Sequence, residues 1–97
     1  MAKEIIWTPQ AENTFKSVLV YLEENWTIRE IENFIASTDA IIKHISKHPE
    51  IFRRSNEIGF HEALVTKHNL LIYKVKPESI DLITFWDTRQ NPKKKLK

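Results

Sequence analysis

Five side chains in the second half of the chain have the types that proton transfer and phosphate binding need: His61, Lys67, His68, Asp87 and Arg89. Metal-free cleavage of an RNA backbone takes a base for the 2′-hydroxyl, positive charge on the scissile phosphate and an acid for the leaving oxygen. His61 has the chemistry of the base and lysine that of a phosphate holder, with His68, Asp87 and Arg89 as further candidates. His61 and Lys67 flank one expected strand, His68 lies in the turn that follows, and Asp87 and Arg89 leave a neighbouring strand. On that reading they converge on one edge of a sheet. Each also has a plainer reading. His68 reads better as a solvated turn residue, and His61 stands evenly between structure and catalysis. Asp87 and Arg89 read equally as a structural pair, or Asp87 as the cap of a turn that Pro92 completes.

A second set has the character of a binding surface. Trp86, Arg89, Gln90 and Asn91 stand where a strand turns abruptly polar, and a rigid sheet behind such an exit holds loop residues in place. Arg53 and Arg54 lie in the longest expected loop. Trp86 reads as core or rim packing before base stacking, and Tyr73 as core. His44 and His48 fit a helix end, as surface or capping residues. No metal and no cofactor are expected. The four histidines are scattered, cysteine is absent, and Gly59, the sole glycine, cannot build a phosphate-cradling loop.

These residues need a scaffold, and the chain supplies one domain over residues 1–92 with a basic tail at 93–97. Glu4–Trp7 is a short strand. Thr8 is an N-cap and Pro9 a first helical residue, where a missing N–H costs nothing. Ala11, Phe15, Val18, Leu19 and Leu22 then recur at helical spacing, which places a helix over about 9–25. Thr27 and Glu30 have the spacing of a capping box. A second helix follows, with Ile28, Ile31, Phe34, Ile35, Thr38, Ile41, Ile42 and Ile45 on one face, and His48-Pro49 ends it. So short a break makes a helical hairpin. Phe60–Thr66, Leu70–Val75 and Ile80–Trp86 are strands joined by turns at 67–69 and 77–79, an antiparallel meander for the hairpin to cover. The fold class is α+β in the order β-α-α-β-β-β, a helical hairpin on a small, largely antiparallel sheet.

Charge is uneven. Residues 1–59 hold seven Lys/Arg against nine Asp/Glu, whereas 60–97 hold eight against four, so the second half suits an anionic partner. Five of those eight cations fall in 89–97, which also fits a solvated end. The first residues lack a charged-then-apolar leader pattern, and no apolar run approaches a membrane span. The chain is expected to be cytoplasmic, with no membrane partner.

The element order, the run Asn-Leu-Leu-Ile-Tyr-Lys-Val at 69–75 and the run Ile-Asp-Leu-Ile-Thr-Phe-Trp-Asp-Thr-Arg-Gln-Asn-Pro at 80–92 resemble the RelE/ParE superfamily of bacterial toxins. These are the toxin halves of type II toxin–antitoxin (plasmid stabilisation) pairs. The Pro-initiated first helix and Tyr73 in the middle strand are typical of that family, and Arg89 matches a basic position at the last strand's exit. The resemblance implies growth inhibition neutralised by a cognate antitoxin. Its RelE-like branch cleaves messenger RNA on the ribosome, and its ParE-like branch acts on DNA gyrase. Two departures bear on the choice. Leu70 stands where the nuclease branch has arginine, and no tyrosine or histidine follows Asp87. The expectation is therefore ParE-like action on gyrase, with an endonuclease as the alternative and a non-toxic protein-binding module of the same fold as another. The residues leave open whether the chain is an enzyme.

Overall fold

The structure, a computed structural model, describes residues 3–52, 54 and 59–87. The order is β1 (Glu4–Trp7), α1 (Pro9–Asn25), α2 (Ile28–Lys47), β2 (Phe60–Thr66), β3 (Asn69–Val75) and β4 (Ser79–Asp87). The expected elements all appear, with β3 and β4 each starting one residue early and β4 running one residue longer.

The start of α1 follows from its residue types. Thr8 is extended, its Oγ1 accepts from the Ala11 N–H at 3.1 Å, and Pro9 takes the first helical position. The same hydroxyl donates to the Leu82 carbonyl at 2.7 Å, so one side chain caps the helix and ties it to β4. The start of α2 differs from expectation. Thr27 is extended and its carbonyl accepts from the Glu30 N–H at 3.0 Å, but its side chain makes no capping bond. The backbone sets this cap, and the expected capping box does not form at the tip, where Trp26, Thr27 and Ile28 are all exposed. His48 closes α2 with its N–H on the His44 carbonyl, one residue before Pro49.

The sheet order is β1-β4-β3-β2. β2, β3 and β4 form the expected antiparallel meander. β1 lies parallel to β4, pairing Ile5 with Ile80 and Trp7 with Leu82, which makes the sheet mixed. Irregularities between Leu64 and Thr66 and between Ile72 and Tyr73 break the strict alternation. The hairpin covers one face. Ala63, Val65, Leu71, Tyr73, Ile80, Leu82 and Phe85 meet Ala11, Phe34 and Ile45 from the helices. Trp7, Phe15, Phe34 and Phe85 form an aromatic cluster with centroid separations of 5.2–6.0 Å, in the range where edge and offset contacts are favourable. Gly59 has φ +84°, a left-handed turn before β2 that other residues adopt only with strain.

Candidate binding groove

β1 stops opposite Leu82, while β4 runs on to Asp87. Past that point the outer edge of β4 needs other partners, and α1 supplies them. Thr8 Oγ1 reaches the Leu82 and Ile83 carbonyls, and the Phe85 N–H donates to Thr14 Oγ1 at 3.0 Å. Thr8 meets residues 82–83 and Thr14 meets 85, so α1 and β4 run alongside each other in the same sense. α1 continues from Thr14 to Asn25, roughly 16 Å further at the helical rise. The hairpin therefore overhangs the end of the sheet.

Under the overhang lies a groove of about 630 Å³, within the range of ligand sites. One wall is α1, through Gln10, Thr14, Ser17 and Tyr21, with Trp26 and Glu30 at the hairpin tip. The other is the β2–β3 turn, residues 66–69, and the end of β4 from Thr84 to Asp87. The turn is held by its own polar groups, since the Asn69 side-chain amide donates to Thr66 Oγ1 at 3.0 Å. The lining thus sets the rings of Tyr21, Trp26, Phe85 and Trp86 among hydroxyls, amides and charges, a combination that suits a peptide-like or base-like ligand.

Of the residues singled out in the sequence, Lys67, His68, Trp86 and Asp87 all line this groove. His68 is half-buried there rather than fully solvated. His61 does not join them. It pairs with Tyr73, and Asp87 pairs with Asn69 four residues away on β3, so the two lie roughly 13 Å apart along the strands. The expected convergence on one edge is thus corrected for His61.

His61 has a structural environment instead. It is 5% exposed, its ring stacks on Tyr73 at 5.3 Å and 16°, and its Nδ1 lies 3.1 Å from the Phe52 carbonyl. A carbonyl only accepts, so Nδ1 carries the proton. Beside it the Tyr73 hydroxyl donates to the Pro49 carbonyl at 2.8 Å. Burial pushes the Tyr73 phenol up to about 12, against a partial lowering by the backbone at Phe52, with the Glu50 carboxylate raising it further. The two rings pin the chain leaving α2, which also forms an isolated bridge from Arg54 to His61. Arg54 is exposed at that edge, away from the groove residues. Arg53, Arg89, Gln90 and Asn91 lie outside the described residues. Among the described residues no cluster of three or more His, Asp or Glu could hold a metal ion.

The helix wall was not singled out from the sequence. Its signal was a polar stripe at helical spacing, Gln10, Thr14, Ser17 and Tyr21, running beside the apolar face. Trp26 in the hairpin break is a further sign, an indole 54% exposed where no core needs it.

The model of the ParE toxin of type II toxin–antitoxin systems, parDE, matches residues 5–92. No curated protein matches the sequence. Among solved structures the chain resembles a chromosomal ParDE toxin–antitoxin system from P. aeruginosa, at TM-score 0.76 and 11% identity, over 91% of this chain and 98% of that one. It also resembles a YoeB–YefM complex from Staphylococcus aureus, at TM-score 0.61 and 17% identity, over 89% and 97%. A YoeB/ParE toxin from Agrobacterium tumefaciens gives TM-score 0.63 and 9% identity, over 87% and 96%. At these identities the structural likeness concerns the fold.

Proposed function

We propose, from the premise that this chain belongs to the family of ParE toxins of type II toxin–antitoxin systems, that it inhibits growth by gripping a protein target, DNA gyrase, and is neutralised by a cognate antitoxin. What supports binding over cutting is His61. The imidazole best placed in sequence to act as a base is buried against Tyr73 and engaged with the Phe52 carbonyl, remote from Lys67 and Asp87. The groove beside β4 is the proposed contact surface, with Trp86 and Lys67 as described anchors; Arg89, Gln90 and Asn91, outside the described residues, are proposed contacts on their residue types alone. The antitoxin is supported by the S. aureus toxin, whose structure is a complex with YefM.

A second reading has its own observation. His68 lines the groove with Lys67 and Asp87, an imidazole beside a cation and a carboxylate, so RNA cleavage would run there and not at His61. One experiment separates the two. The protein is induced in bacteria while messenger-RNA ends and gyrase-dependent supercoiling are followed. Lost supercoiling with intact messenger RNA is expected. Codon-positioned cleavage that disappears in His68→Ala would install the endonuclease instead.

A further inference from the structure

We propose that His44 and His48 form a chelating pair for a transition-metal dication, Cu²⁺, Ni²⁺ or Zn²⁺, at the C-terminal end of α2. Spacing is the first argument. His48 caps α2 and its N–H donates to the His44 carbonyl at 2.8 Å. The two residues thus keep the i, i+4 relation that sets side chains one turn apart on a helix face. Both are exposed, and their rings stand 6.1 Å apart between centroids, with planes inclined by 85°. Two imidazoles on one tetrahedral ion, each nitrogen about 2 Å from it, have centroids about 5 Å apart. Side-chain rotation through a staggered well supplies the remaining closure of about 1 Å.

Electrostatics is the second argument. A helix C-terminus is the negative end of its dipole and favours a cation. Of the neighbouring lysines, Lys43 is paired with Asp39 at 3.1 Å, and Lys47 is exposed, so its repulsion is screened by salt. Ligand type is the third argument. Imidazole suits zinc, copper and nickel, whereas Mg²⁺ takes oxygen ligands. The other two histidines are engaged elsewhere, His61 with Tyr73 and the Phe52 carbonyl and His68 in the groove wall. Two protein ligands leave the remaining coordination positions to water, which places the pair below the three-ligand clusters absent among the described residues. A bound ion holds the last turn of α2 just before Pro49, whose carbonyl accepts from Tyr73.

The pair lies roughly 20 Å along α2 from Glu30, the groove residue at the hairpin tip, so it stands or falls apart from the gyrase reading. Untagged protein is titrated with Cu²⁺, Ni²⁺, Zn²⁺ and Mg²⁺ at about pH 7.5, above the ordinary imidazole pKa. One ion per chain is expected, Cu²⁺ tightest, with no response to Mg²⁺. At free ion about a hundred times Kd, the folding equilibrium constant should rise by up to about a hundredfold, and Tm with it. The nitrogen hyperfine pattern of bound Cu²⁺ should report two imidazoles. His44→Gln and His48→Gln should each weaken binding about tenfold or more, because each removes one of two tethered ligands. Their metal-free Tm should stay near that of the parent, since both side chains are exposed. His68→Gln should bind metal as the parent does. No binding, undiminished affinity in either the His44 or the His48 variant, a one-imidazole signal, or amide shifts centred on residues 66–69 rather than 44–48 overturns the proposal.

Discussion

The imidazole of His61 lies nearly parallel to the phenol ring of Tyr73, with centroids 5.3 Å apart and planes inclined by 16°. Both rings reach polar backbone of the segment after α2, His61 at Phe52 and Tyr73 at Pro49. Two neighbouring strands thus hold, through one stacked pair, a stretch that has little regular structure of its own.

His61→Ala should therefore destabilise the fold by about 2 kcal/mol, from a lost hydrogen bond and a buried cavity. Growth inhibition per folded molecule should be unchanged. Denaturant unfolding beside a growth assay checks this. An unaltered midpoint with lost inhibition would return His61 to a chemical role.

The Tyr73 phenol gives a signed pH dependence. Its folded value of about 12 lies above the ordinary 10. The neutral form is the one that folding favours, so this stabilisation is complete below pH 10 and disappears as pH rises to 12. The two-unit gap corresponds to roughly 2–3 kcal/mol. Thermal melts should fall steeply over that window. In Tyr73→Phe the curve should start lower by about 1 kcal/mol for the lost hydrogen bond and then run flatter.

Thr14 links the groove wall to the sheet. Thr14→Val keeps the side-chain volume but leaves the Phe85 N–H without its acceptor, at an expected cost of about 1–3 kcal/mol. Amide exchange at Phe85 should accelerate well beyond that of Ile72 in the middle of the sheet. Equal protection at both would show that Thr14 does not hold the β4 edge.

Lys67 is exposed in the β2–β3 turn, so Lys67→Ala should shift stability by no more than about 0.5 kcal/mol. If the groove meets the target, that variant combined with Trp86→Ala should lose growth inhibition while retaining the circular dichroism of the parent. Full inhibition by the folded double variant would move the contact surface elsewhere.

The elements were legible because each is marked by local chemistry. Thr8-Pro9 opens α1 and His48-Pro49 closes α2, while the alternation in Asn69–Val75 and Ile80–Trp86 marks two strands. The partner of β1 was not legible, because four residues with no turn beside them carry no pairing information, and parallel pairing is settled by the whole layer. Half of the groove was visible. Lys67, Trp86 and Asp87 stand at strand ends, where polar residues draw notice. The wall from Gln10 to Tyr21 looks like an ordinary solvated helix stripe until the overhang places it over the sheet's end. His61 was misplaced because alternation fixes which face a side chain takes but not how far along the sheet it sits from Asp87.

The parallel pairing of Ile5 with Ile80 also orders events in time. A nascent chain that has made β1, α1 and α2 holds a strand with no neighbour and a helical face with nothing beneath it. The helical face gains its first cover from β2 and β3, but the strand waits for β4, the last described strand, which also forms the lower wall of the groove. Contacts between such distant segments form slowly, because the intervening loop must close before they yield any free energy. The groove is thus absent from a polypeptide that has not yet made β4, and arises only once that strand has joined the sheet.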